Sequence, residues 1–362
     1  PALATSLSNL GIRLSEVGRG AEALTATEQA AEIYRRLAAG NPAAHEPDLA
    51  ATLSNLGNHL SQAGRRAEAL TAAEQAAEIY RRLAAGNPAA HEPDLAATLS
   101  NLGIRLSQAG RQAEALSAEQ HAVEIRRRLA AGNPAAHEPA LATSLANLGN
   151  HLSQAGRRAE ALTAAEQAAE IHRRLAAGNP AAHEPALATS LSNLGIRLSQ
   201  AGRQAEALSA EQHAVEIYRR LAAGNPAAYE PDLATSLANL GNHLSQAGRR
   251  AEALTAAEQA AEIRRRLATG NPAAHEPALA TSLVFLAMLT AMGGDLSEAL
   301  RVTAESVELY RRRIATTPTL LPQLHAALEL QALVLDELDR PEDAETVRRW
   351  VGENPLPPDS HN

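Results

Sequence analysis

The sequence predicts an all-α protein, an α-solenoid of stacked helix-turn-helix repeats. Three observations predict it. The phrase NLG starts at Asn9, Asn55, Asn101, Asn147, Asn193 and Asn239, each step being 46 residues. Ala and Leu dominate while aromatics make up 2% of the chain, a composition that favours helices over strands. Leucines in each copy recur at helical spacing, as at Leu49, Leu53, Leu56 and Leu60. A chain of 362 residues would otherwise suggest two or three globular domains, but stacked repeats need no single closed core.

Six copies are nearly identical and span 1–46, 47–92, 93–138, 139–184, 185–230 and 231–276. A divergent seventh runs over 277–321, and a degenerate cap over 322–352 precedes the Pro-rich tail at 353–362. Residues 1–352 therefore read as one solenoid domain. The third and fifth copies share RQAEALSAEQHAVEI, and the second, fourth and sixth share RRAEALTAAEQAAEI, so the larger unit is a pair of 92 residues. The first residues read as the start of a repeat, which leads us to expect further domains before Pro1.

Each copy divides into two helices. In the second copy, helix A is expected from Pro47, with proline at the first helical position and Asp48 at the positive helix end. Gly64 ends it. Helix B is expected from Arg66 to Ala85, with Ala69, Leu70, Ala73, Ala76, Ala77, Ile79 and Leu83 on its apolar face. Arg81 and Arg82 suit its C-terminal turns, Gly86 stops it, and Asn87 and Pro88 turn the chain towards the next unit. Gly57 inside helix A costs about 1 kcal/mol relative to Ala. It marks a close approach by helix B at Ala69 and Ala76.

These residues resemble the tetratricopeptide repeat. Leu53, Leu56, Gly57, Leu60, Gly64, Ala69 and Ala76 fall at that family's signature positions, six times in phase. Two features depart from it: Ala73 (Glu119 in the third copy) stands where the family has a large aromatic, and the helix-ending proline is absent. The long unit with its NPAAHEP junction is similar to the extended repeats of kinesin light chains and to long tandem arrays in actinobacterial multidomain proteins. The resemblance implies a right-handed superhelix with helix A lining a concave groove, and binding of a protein or extended peptide.

With the leucines turned to the core, the opposite side of helix A carries a ladder of amides. Asn55, Asn101, Asn147, Asn193 and Asn239 form one row, with Asn9 before them. Gln62, Gln108 and Gln154, with Gln200 and Gln246, form another, begun by Glu16. Between them Asn58, Ile104, Asn150, Ile196 and Asn242 alternate, flanked by His59, Arg105, His151, Arg197 and His243. The expected surface alternates between apolar with cation and amide with imidazole. Such a ladder can hydrogen-bond an extended peptide backbone without demanding its sequence. Taken singly, each amide reads as an ordinary solvated residue.

The one Phe and both Met residues lie together at Phe285, Met288 and Met292, in the register of the groove. Leu330 and Leu333 follow in the last repeat, so the groove turns apolar. An exposed apolar patch suits a partner; a tail or last helix carrying Trp350 and folded over it is the alternative.

The chain has no cysteine and a net charge of -8, a poor match for phosphate-backbone binding. No apolar run is read as a membrane span, and the protein is read as cytoplasmic. His45, His91, His137, His183 and His275 lie beside Glu in what reads as a loop, which is no metal site. The RRR runs at Arg126–Arg128 and Arg264–Arg266 read as solvated helix ends paired with Glu. No cofactor, phosphate loop or catalytic triad is indicated. The expected function is a non-enzymatic scaffold or ligand-sensing module. The alternatives are self-association end to end or as a dimer, and service as the sensor of a larger bacterial effector protein.

Overall fold

Successive repeats are joined by a helix cap and not by a loop. The Asn87 backbone N–H donates to the Leu83 carbonyl at 2.9 Å and closes one helix. Its side-chain Oδ1 accepts from the Ala90 N–H at 3.3 Å and opens the next, with Pro88 in the first turn, where its missing N–H costs nothing. Asn41, Asn133, Asn225 and Asn271 cap in the same way. Helix A of the second copy therefore begins at Pro42 and not at Pro47, which lies inside it. His45 and its equivalents ride on the first turns of the helix instead of a loop. Asn87→Ala should lower stability by about 1 kcal/mol, read as a shifted urea midpoint with unchanged slope.

The computed structural model describes residues 1–356, and among these are sixteen α-helices and no strand. They divide into two units. The first, Pro1–Pro180, holds α1 (Ala2–Glu16), α2 (Gly20–Gly40), α3 (Pro42–Gln62), α4 (Arg66–Gly86), α5 (Pro88–Gln108), α6 (Gln112–Gly132), α7 (Pro134–Gln154) and α8 (Arg158–Gly178). The second, from Ala181 onward, holds α9 (Pro180–Gln200), α10 (Gln204–Gly224), α11 (Pro226–Gln246), α12 (Arg250–Gly270), α13 (Pro272–Met292) and α14 (Leu296–Ile314). A 3-10 turn at Pro318–Leu320 then leads into α15 (Leu321–Glu337) and α16 (Pro341–Glu353). Residues 357–362 of the expected Pro-rich tail lie outside the described residues. Within each unit every helix packs on its neighbours in the chain, the solenoid arrangement of antiparallel hairpins.

Odd-numbered helices bring leucine to the core and even-numbered ones bring alanine. Leu53, Leu56 and Leu60 of α3 and Ala69, Ala72, Ala73 and Ala76 of α4 are all buried. Gly57 permits the contact: a Cβ there would stand 3.2 Å from the Ala69 carbonyl oxygen and 3.8 Å from Ala72 Cβ. The approach is thus onto Ala69 as expected, with Ala72 and Ala73 as its other contacts instead of Ala76. Gly64, at φ +77°, makes the tight turn between the two helices.

The Glu before the second proline, in HEP or once in YEP, ties the second to sixth hairpins at their open ends. Glu46 meets Arg82 at 2.6 Å, and Glu92–Arg128, Glu138–Arg174, Glu184–Arg220 and Glu230–Arg266 repeat the pair. The arginine side chains of these pairs are more than half exposed, so each pair contributes less than about 1 kcal/mol. The last hairpin is closed differently. Trp350 of α16 meets His325 edge-on at 6.1 Å, and the Arg311 guanidinium lies 5.2 Å from the Trp350 ring centroid. Contrary to the sequence expectation, α13 is long and apolar enough to cross a membrane, with mean hydropathy 1.3; half of that stretch is buried within the protein.

Candidate functional site

Within each unit the amides recur at the same register of successive A helices. Asn55, Asn101, Asn147, Asn193 and Asn239 are half-buried. Asn58, Ile104, Asn150 and Ile196 are also half-buried, and Asn242 is exposed. Gln62, Gln108, Gln154, Gln200 and Gln246 are exposed at the rim. Side chains link one A helix to the next along these rows. Arg105 Nη1 donates to Ser61 Oγ at 2.6 Å and to Gln108 Oε1 at 3.2 Å, while its Nη2 donates to Asn58 Oδ1 at 3.0 Å. Ser107 Oγ donates to Gln154 Oε1 at 3.2 Å. In the second unit Ser199 Oγ donates to Gln246 Oε1 at 3.0 Å, and Asn239 Nδ2 donates to Ser192 Oγ at 3.2 Å.

The imidazoles expected beside these rows are elsewhere. His59, His151 and His243 are buried. Their register explains it: Thr52, Leu56 and His59 stand four and three apart, on the same stripe as the core leucines. Arginine at the equivalent position, as at Arg105, is long enough to lay its stem in the interior and carry its head back to the row. Burial holds the His151 and His243 imidazoles below their ordinary pKa and likewise depresses the Arg105 guanidinium. The His–Arg alternation is therefore an alternation of the core.

Polar residues in the core are the feature that sequence reading missed. Glu119 and Glu211, in the register of Ala73, are fully buried. Ser100 Oγ donates to Glu119 Oε1 at 2.9 Å. Arg126 is half-buried, not a solvated end: its Nη1 donates to Ser100 Oγ at 3.1 Å and also to Ser144 Oγ. Arg264 reaches Ser282 Oγ and the Ala278 carbonyl in the same fashion. The signal was present in register: Tyr34, Tyr80, Tyr218 and Tyr310 occupy this position in other copies, so the outward side of the helix could not hold it.

At the C-terminal end the apolar residues separate. Phe285 is half-buried and turns back onto α11, its Cε1 standing 3.0 Å from where a Cβ on Gly241 would be. Met288 and Met292 are 38% and 49% exposed, and Leu333 is 60% exposed. Leu330 is half-buried. Trp350 sits against His325 and Arg311, so α16 does not cover the methionines. Among the described residues no group of three His, Asp or Glu is placed to hold a metal ion.

Tandem antiparallel hairpins with glycine-mediated contacts define the class of helical repeat solenoids. Family models described as tetratricopeptide repeat match residues 48–128 and 140–220, and residues 3–41 and 233–268. The chain belongs to the tetratricopeptide repeat family. Among solved structures it is similar to BtubC (BKLC) from P. vanneervenii, at 22% identity and a TM-score of 0.54, over 67% of this chain and 90% of that one. The apo form of RapI is similar at 11% identity and a TM-score of 0.58, over 83% and 95% of the two chains. The Cut9–Hcn1 hetero-tetramer of APC/C gives 14% identity and a TM-score of 0.53, over 92% and 52%. At these identities the likeness is one of fold. No curated protein matches the chain in sequence.

Proposed function

We propose that the chain is a non-enzymatic interaction module that binds a protein or extended peptide segment along the A-helix face. The exposure of Met288 and Met292, in the register that the amides of the second unit occupy, carries this reading. Chemistry along the rows supports it. The amide oxygens of Asn58, Gln108, Gln154 and Gln246 accept bonds from within the protein, which leaves their NH2 groups as the part able to donate. Such a surface complements the carbonyl oxygens of an extended backbone. Because each amide is one of many, Asn101→Ala should change affinity by less than about threefold. Peptide libraries displayed against the intact chain test the reading. Binders should be extended segments with an apolar anchor, and a library yielding only compact domains that bind Asn101→Ala as well as a Met288 variant would refute it.

A second reading, self-association, is favoured by one observation. Leu3 and Leu10 are 64% and 48% exposed, while Leu49 and Leu56 in the same register are buried. Light scattering over a concentration series separates the two readings, since a mass that stays constant with concentration removes the second.

A further inference from the structure

The alternation of His with Arg on helix A has a counterpart on helix B of the preceding hairpin. Thr27 precedes His59, Glu119 precedes His151 and Glu211 precedes His243, whereas Ala73 precedes Arg105 and Ala257 precedes Leu289. One of these pairs meets directly in the interior: Thr27 Oγ1 lies 3.0 Å from His59 Nδ1. Glu211 accepts from Ser192 Oγ at 2.9 and 3.0 Å through its two oxygens. A Cβ on Gly195 would stand 3.2 Å from Glu211 Oε2 and 3.6 Å from His243 Nε2, so the bare glycine lets carboxyl and imidazole share one space. Neither ring nitrogen of His243 has a hydrogen-bond partner.

The groups facing this space are few. Ser192 comes from α9, and Ser236 and His243 from α11. Tyr218 of α10 lies within electrostatic reach of Glu211, Asp232 and Tyr229. In the duplicate of this junction, Arg126 stands at the register of Tyr218 and hydrogen-bonds the serines around Glu119.

We propose that Glu211 and His243 form a one-proton joint between the fifth and sixth hairpins, closed while the pair holds a single proton and loosened when that proton leaves or a second arrives. With one proton the pair has no net charge, whichever residue carries it. Losing the proton strands a carboxylate among hydroxyls, and a second proton strands an imidazolium; either puts net charge in a buried site. Burial pushes Glu211 up to about 7 and pushes His243 down. The carboxyl's contribution is complete below its ordinary value of 4.5 and is lost as pH rises to about 7. The imidazole's contribution is complete above its ordinary 6.5 and is lost as pH falls through its depressed value. On the alkaline side the carboxyl's contribution is gone by about pH 7, so the joint releases near neutrality. Burial raises Glu119 as well, but the fixed positive charge of Arg126 opposes that rise, so the alkaline release is stronger at Glu211.

Amide hydrogen exchange in α10 and α11 of the full chain tests the joint, with Glu211→Gln as the shape-matched variant that cannot ionise. After correction for intrinsic exchange, opening of the wild type relative to this variant should rise about tenfold between pH 6 and pH 8. Tyr218→Arg, which imports the cation of the duplicate, should reduce the rise severalfold. Glu211→Ala provides the same comparison if glutamine is not accommodated, since alanine is native to this register at Ala73 and Ala257. Parallel pH profiles for the wild type and the uncharged variants, or an undiminished rise in Tyr218→Arg, overturn the proposal.

Discussion

Gly149→Leu is expected to unfold the fourth hairpin while the first two hairpins stay folded. A Cβ on Gly149 would stand 3.2 Å from the Ala161 carbonyl oxygen and 3.8 Å from both Ala164 Cβ and the Ala165 nitrogen. The nearest of these atoms is backbone of α8 and cannot rotate away. Leucine adds three more carbons beyond that point, so the helices must separate, at a cost of about 3 kcal/mol from overpacking. Repeat stacks are held by nearest-neighbour interfaces, which confines the damage. Hydrogen exchange should show protection lost in α7 and α8 and kept in α1 to α4. Uniform loss across the first unit would show that it unfolds as one body, and unchanged protection would remove Gly149 as a contact point.

The largest effect on binding is expected from Met288→Ala combined with Met292→Ala. Both side chains are exposed, so their removal should leave the melting temperature within about 2 °C, while affinity for a selected peptide should fall at least thirtyfold, as about 2 kcal/mol of anchor contact is lost. Phe285→Ala is the informative contrast. Its ring packs on Gly241, so this change should lower stability as well, by a few kcal/mol. Full affinity in the methionine double variant would move the anchor away from this end of the chain.

The helices and their pairing were legible because the leucine and glycine spacing repeats six times, and a register seen once would have been ambiguous. The start of helix A was misread because the sequence offers two prolines. Pro42 and Pro47 are both plausible at a first turn, and the deciding residue is Asn41, whose side chain can cap only the earlier one. The recurrence of amides at one register of helix A was readable from helical spacing. The site of the imidazoles was not, because histidine was grouped with its polar neighbour Asn58 and not with Thr52 and Leu56, whose stripe it shares. Glu119 and Arg126 show the deeper limit. A carboxylate and a guanidinium on a helix look solvated until a neighbouring serine is known to face them, and Ser144 comes from a different repeat.

The matched junctions also bear on how such an array changes length. Near-identical tandem stretches recombine, and the product must still fold. Excising 93–184 sets Ala73 before Arg197, the same combination as Ala73 before Arg105. Excising 93–138 alone sets Ala73 before His151, and the imidazole then faces alanine where it had a carboxyl group. Excising 139–184 alone sets the buried Glu119 before Arg197. Losses and gains of two copies preserve the interior chemistry, and those of one copy do not. The matched unit of this array is therefore the pair, and its interior stays consistent when its length changes by 92 residues at a time.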